Sequence, residues 1–330
     1  MSRSISADLI KTGSIIGVVF IHGSSLLGTS SDFQTYASAW FRFCVPCFII
    51  LWAYFFEKSF AAKNNTERIQ YIKKRFIHLL ILFFAWSLLY FLLLVDWTTL
   101  SVSKMITIHF SGYGWSGQYF FIILFQLLLL YPLLRRCYIH HILRYSILLF
   151  CIIAYVYWGY YYDIIPELLK KLGDRPFIFW LPYVFCGIAL ANNTFIRLPL
   201  IYICFVFLIP LEFYVLEQFA LSHSAYITPG ILVGSILFCG TILQNSISIT
   251  SEKARAVITY MGNNTMIIFL ANPVVIFLLQ TFLFKNITST TDISKIILPF
   301  ISTLLIICIC LLIDFFIIHT IDKLTGIKLS

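Results

Sequence analysis

The sequence predicts an all-α protein, a polytopic transmembrane helix bundle of about ten spans with both termini cytoplasmic. Three observations predict it. Of the 330 residues, 60% are apolar and only 11% are charged, so the chain cannot cover a core of its own with polar surface. Apolar runs of span length recur throughout, and no connection is long enough for a second domain, so residues 1–330 read as one integral membrane domain. Finally, Lys and Arg gather in alternate connections: with the N-terminus inside, sixteen lie on the cytoplasmic side and six outside. An even number of spans then returns the C-terminus to the cytoplasm.

The same counts exclude other classes. A chain with 33 Phe and 19 Tyr is no solvated coil. Its nine Cys are an odd number, nearly all inside apolar runs, which argues against a disulfide scaffold. The net charge of +9 follows the topology; no basic block carries interleaved aromatics outside the apolar runs, so no nucleic acid partner is expected. The first partner is the lipid bilayer itself.

In chain order the spans fall at about 7–27, 38–56, 76–96, 118–134, 142–162, 176–191, 198–217, 226–245, 264–284 and 296–319. Several carry Pro, which a membrane helix tolerates when neighbours satisfy the freed backbone group. The first span has the apolar length of a secretory signal, but no small-x-small site follows it and Asp8 and Lys11 interrupt it, so it reads as a retained span. Lys11 and His22 are eleven residues apart, close to three helical turns, so they share one face at a separation of roughly 16 Å. Asp8 lies one turn below Lys11 on that stripe and Ser14 lies near it. An ionisable group in the bilayer costs on the order of 3 kcal/mol or more, so this polar face looks into the bundle. An imidazole takes or gives a proton near neutral pH, which makes His22 the candidate general base; the plainer reading is a buried His bonded to a neighbouring carbonyl. Of the other six His, His78, His109, His140, His141 and His223 fall in or beside connections, and His319 ends the last span.

The second span carries Arg42, which either snorkels to the outer interface or serves a site, and a Cys44–Cys47 pair too isolated to indicate metal or redox work. A basic loop, Lys73-Lys74-Arg75, precedes the third span and suits a phosphate-rich ligand, anionic lipid or the topology rule alone. Around the fourth and fifth spans, Trp115, Gln118, Tyr119, Trp158, Tyr160, Tyr161 and Tyr162 read as interfacial residues, with sugar binding as a second use. Glu212 in the seventh span and Asp314 in the tenth either pair with an Arg or line a cavity.

These residues together resemble acyltransferase family 3, membrane proteins of about ten spans that O-acylate sugars of surface polysaccharides and glycolipids. That family opens with an acidic residue, two apolar residues and an Arg, then reaches a His after ten more; Asp8-Leu-Ile-Lys11 and His22 keep the spacing with Lys for Arg. Its second span is similar to Arg42-Phe-Cys-Val-Pro46-Cys-Phe48, although Trp52-Ala53-Tyr54 stands where the family has Ser-Gly-Tyr. Lys73-Lys74-Arg75 with Trp86 and Tyr90, and Tyr119 to Gln126 with Tyr131-Pro132, resemble its third and fourth spans. Gly262-Asn-Asn-Thr265 followed by Asn272-Pro273 resembles its late Gly-x-Asn/Lys-Ser and His-Pro, with Asn in place of His.

The resemblance implies an O-acetyltransferase of a bacterial inner membrane, with acetyl-CoA as co-substrate and no permanently bound cofactor or metal. The acceptor would be a glycan or lipid-linked sugar. His22 would be catalytic, and Asp8, Lys11, Lys74 and Arg75 would hold or support the donor at the inner surface. Arg42, Glu212 and Asn272 would serve the acceptor or the oxyanion, although Asn272 has no group that titrates. Direct transfer and an acyl-His relay both fit. The alternative of another class is a non-enzymatic exporter of a polysaccharide or lipid-linked sugar, whose polar residues would line a path from end to end.

Overall fold

The computed structural model describes residues 4–24, 31–94, 101, 103, 108, 112, 114–245, 247–283 and 292–318. The chain ends, His109 and His319 lie outside the described residues. Among those described, all regular structure is helical and no strand occurs. The longer helices are α1 (Ile5–Gly23), α2 (Asp32–Trp40), α3 (Cys44–Ala61), α4 (Asn65–Leu94), α5 (Gln118–Ile139), α6 (His141–Tyr160), α7 (Leu181–Ala191), α8 (Leu208–Gln218), α9 (Pro229–Gln244), α10 (Glu252–Asn263), α11 (Thr265–Phe282) and α12 (Asp292–Ile313). Eight helical segments are long and apolar enough to cross a bilayer, and two shorter apolar ones, Phe177–Ala191 and Pro229–Gln244, coincide with the sixth and eighth predicted spans. The molecule is an all-α polytopic helix bundle.

One boundary departs from the sequence reading. The cations Lys73, Lys74 and Arg75 and the neighbouring His78 lie inside α4, not in a loop before it. The helix starts early because Asn64 caps it: the Glu67 N–H donates to Asn64 Oδ1 and the Asn64 N–H donates to the Glu67 carboxylate, each at 3.0 Å. About three further turns of polar helix therefore precede the apolar part. Beyond them α4 shows how a membrane helix differs from a soluble one. Leu79, Leu82, Phe83, Trp86 and Tyr90 are buried, while Ile77, Ile81, Phe84, Leu88 and Leu92 form an equally apolar but exposed stripe. That outer stripe has the chemistry of a lipid-facing surface.

The chain divides into two compact units. The first comprises Met1–Val18, Ser30–Lys63 and Leu130–Asn263. Helices α3 and α7 approach closely, so that a Cβ on Gly187 would stand 2.5 Å from the Ile50 carbonyl oxygen and 2.6 Å from Ala53 Cβ. The close packing that a Ser-Gly pair would allow on α3 is thus supplied from the facing helix, with Ala53 fully buried against it. Trp52 stacks on Phe56 and meets Tyr131 edge-on. Near the end of α3, Glu57 is wholly buried and accepts bonds from Arg135 Nε at 2.9 Å and the Tyr131 hydroxyl at 2.7 Å. This carboxylate, which the sequence reading places in a connection, locks α3 to the end of α5.

The second unit comprises Val19–Thr29, Asn64–Leu129 and Asn264–Ser330. Here the last turns of α1 pack on α12 through Phe20 and Phe300, whose ring centroids are 5.1 Å apart. Helices α4 and α5 interlock through Phe83, Phe121 and Phe125. Asp314 opens a π-helical turn, Asp314–Ile318, that continues α12.

Candidate functional site

Within the second unit, the chemistry starts from a proline. Pro273 sits inside α11 and has no N–H to offer the Phe269 carbonyl four residues back. The orphaned oxygen is taken by the preceding side chain: Asn272 Nδ2 donates to Phe269 O at 2.7 Å and to Ile268 O at 2.9 Å. One residue past the proline, the Val274 N–H donates to the Tyr90 hydroxyl at 3.2 Å, and that hydroxyl donates to the Leu270 carbonyl at 2.7 Å. Val274 and Leu270 form the next i, i−4 rung, so Tyr90 bridges the opened turn from α4. Both bridging side chains are fully buried.

This repair fixes the orientation of a third side chain. Both Asn272 amide hydrogens are committed to carbonyls, so its Oδ1 must point away from its own helix. It lies 2.9 Å from His22 Nδ1. An amide oxygen only accepts, so Nδ1 carries the proton and donates. Nε2 is then the nitrogen with the lone pair. A His at the end of α1 is held in one tautomer, with the nitrogen needed by a general base defined. The bland expectation, a His bonded to a carbonyl, is met in form, but the carbonyl belongs to a side chain that is itself locked by Pro273.

A second layer steadies Tyr90. Its ring stacks on Trp115 at 4.8 Å with planes 10° apart. Trp115 Nε1 and Gln118 Nε2 both donate to Ser87 Oγ, at 3.3 and 2.9 Å, and Gln118 Oε1 accepts from the Gly114 N–H. Trp115 and Gln118 are therefore buried parts of this support, not interfacial residues. Tyr160 and Tyr161 do remain exposed. Ser87 carries no signal of its own in the sequence, because one Ser in an apolar helix reads as neutral.

In the first unit, α1 brings Asp8 and Lys11 together as predicted, with Lys11 Nζ 3.8 Å from Asp8 Oδ1. Asp8 is buried against Gly262, where a Cβ would come within 2.9 Å of the carboxylate oxygen. The Thr12 hydroxyl donates to the Ile258 carbonyl at 3.1 Å, so α1 is sewn to α10 on this side. Lys11 is part exposed, its ammonium 5.4 Å from the Phe55 ring centre. Lys74 and Arg75, in the second unit, are exposed on α4, and the Arg75 guanidinium lies 5.3 Å from the Tyr71 ring.

Arg42 occupies a single 3-10 turn, Phe41–Phe43, between α2 and α3. Its guanidinium faces the Phe213 and Tyr226 rings at 5.6 and 5.1 Å, and its Nε is buried with no hydrogen-bond partner among the described residues. Burial pushes the Asp174 carboxyl up from its ordinary value, against the pull of Arg175 and Arg42. Glu212, next to Phe213, has no Arg partner among the described residues; it accepts from the Tyr160 and Thr228 hydroxyls and the Gly230 N–H, which caps the start of α9. It also borders a largely apolar cavity of about 360 Å³. Cys44 and Cys47 are buried free thiols, and among the described residues no three His, Cys, Asp or Glu side chains are arranged to hold a metal ion.

Comparison with known proteins agrees with this architecture. The model of the acyltransferase domain family matches residues 4–315, nearly the whole chain. The chain belongs to that family, acyltransferase family 3, and is an integral membrane acyltransferase. No curated protein and no solved structure matches it.

Proposed function

We propose that the protein transfers an acetyl group from acetyl-CoA, entering from the cytoplasm, to a sugar hydroxyl of a cell-surface polysaccharide or its lipid-linked precursor, in a bacterial inner membrane. The observation that carries the reading is the His22–Asn272 pair, which supplies a base of defined tautomer. Lys11 lies about three turns before His22 on the same helix, a distance the pantetheine arm of coenzyme A can span.

In this reading His22 Nε2 takes the proton of the sugar hydroxyl as its oxygen attacks the thioester carbonyl. The C–S bond of the tetrahedral intermediate then breaks, and the imidazolium returns the proton to the departing sulfur. The products are the acetyl ester and free coenzyme A. Asn272 keeps Nδ1 protonated and stabilises the imidazolium through its oxygen. Arg42, flanked by two aromatic rings, offers donors and a stacking surface suited to a sugar.

The test is labelled acetyl transfer to glycan by purified protein in proteoliposomes. His22→Ala should lower specific activity per folded molecule by about 10²- to 10⁴-fold while coenzyme A still binds. Activity within a few-fold of wild type would end the assignment and favour an exporter.

A further inference from the structure

The first unit holds a second cavity, of about 340 Å³, at the end of α3 that carries Lys58. Its wall is mostly polar, and Tyr54, Asn193, Arg197 and Gln244 line it. The cavity is framed rigidly. Gln244 spends its amide on the 195–198 loop, accepting from the Leu198 N–H at 3.1 Å and donating to the Phe195 carbonyl at 3.0 Å. Asn245 Nδ2 adds a bond to the Leu198 carbonyl at 3.1 Å. Arg197 therefore projects from a loop clamped on both sides, rather than from a free tether.

The charge is one-sided. Tyr54, on the wall, holds the Lys58 ammonium twice over, by its hydroxyl and by its ring face at 4.2 Å. No carboxylate lines the cavity, and among the described residues neither Arg197 nor Lys58 pairs with one. The neighbouring carboxylate, Glu57, is committed to Arg135 and Tyr131. Next to Tyr54 along α3, Phe55 faces the Lys11 ammonium. One uncompensated cation on the wall of a fixed polar cavity, Arg197, with a second, Lys58, held against the wall residue Tyr54, makes an anion site. The volume lies at the small end of ligand pockets and suits a phosphorylated head better than a whole extended cosubstrate.

We propose that this cavity binds the phosphate groups at the nucleotide end of the acyl donor, with Arg197 and Lys58 as the charged contacts. The inference rests on the acetyl-CoA reading and gives it an address that the basic run on α4 does not. An anionic lipid headgroup offers the same phosphate chemistry. The mostly polar wall favours the donor, as does α1, whose Lys11 faces Phe55 beside Tyr54 and which runs on to His22.

The experiment measures coenzyme A binding by calorimetry to the whole protein in nanodiscs, together with turnover of acetyl-pantetheine, which has no phosphates. Arg197→Ala and Lys58→Gln should each weaken coenzyme A binding by about tenfold or more, the scale of a charge-assisted contact, while Arg197→Lys keeps most of the affinity. Turnover of acetyl-pantetheine should be unchanged in all three. Arg197 is exposed and has no ion-pair partner among the described residues, so its loss should spare the fold; Lys170→Gln controls for nonspecific charge. Wild-type affinity in both Arg197→Ala and Lys58→Gln overturns the proposal, and loss of co-purifying phosphatidylglycerol with that affinity intact reassigns the cavity to lipid. Failure of the wild-type protein to bind coenzyme A removes the donor reading itself, and the proposal with it.

Discussion

His22 and Asn272 stand 250 positions apart in the chain and meet at 2.9 Å through Nδ1 and Oδ1. The Asn does no proton chemistry. It supplies an oxygen whose direction is fixed because its amide hydrogens are spent on the Phe269 carbonyl that Pro273 leaves open and on the neighbouring Ile268 carbonyl. Where the family has His before this Pro, an Asn keeps the acceptor and gives up only the titration.

The first prediction follows from that division of labour. Asn272→Ala should lower kcat by about 10²-fold or more, because the imidazole loses its fixed tautomer, while the affinity for coenzyme A stays near wild type. Asn272→Asp keeps an acceptor for Nδ1 but loses both bonds to α11, so it should retain more activity at lower thermal stability. Equal kinetics for the Ala and Asp variants would show that the oxygen does not orient His22.

Tyr90→Phe removes one hydroxyl and leaves the Val274 N–H and Leu270 carbonyl without the bridge. A buried group left unpaired costs about 1–3 kcal/mol, so the melting temperature should fall by several degrees. The informative readout is kinetic. A Tyr90 that only packs would leave kcat per folded molecule intact, whereas one that holds the turn below His22 should lower kcat at unchanged KM for the donor.

Much of this was legible in the sequence where the signal is local. Asp8, Lys11 and His22 lie on one helix, and period alone aligns them. All ten apolar segments coincide with helices, because twenty apolar residues leave a chain few alternatives. What escaped was non-local or ambiguous. The partner of His22 comes from the far end of the chain. An aromatic at the edge of an apolar run reads as interfacial whether its ring meets headgroups or, as Trp115 does, stacks on Tyr90. Glu57, beside Lys58 at a span's end, looks like a loop charge until Arg135 is found against it. The Asn64–Glu67 box was local and readable, and the basic run behind it masked it.

The Glu57–Arg135 pair predicts an effect on stability without one on chemistry. Arg135→Met strands a buried carboxylate, at a cost of about 3 kcal/mol or more. The double variant Glu57→Gln/Arg135→Met should recover much of the loss, since an amide can still accept from Tyr131. Thermal unfolding in detergent measures both, and specific activity of the folded fraction should match wild type. A double variant no more stable than the single would show that the charge pair is not the source of the loss.

Gly262 ties the family's late motif to its first span. An added Cβ would stand 2.9 Å from Asp8 Oδ1 and 3.0 Å from Asp8 Cβ, and Asp8 is buried and has little room to retreat. Gly262→Ala should therefore cost about 1–3 kcal/mol through overpacking. Because Asp8 also pairs with Lys11, displacing it should raise the KM for acetyl-CoA a few-fold, with kcat little changed. Gly13 provides the control on the neighbouring helix. A Cβ there meets nothing within 4 Å, so Gly13→Ala should be neutral or stabilising by about 0.5–1 kcal/mol through helix propensity. The two substitutions make the same chemical change, an added methyl group at a helical glycine, and differ in what that methyl meets. If Gly262→Ala behaved like Gly13→Ala in both melting temperature and KM, the close approach of Asp8 to Gly262 would not be what positions the Asp8–Lys11 pair.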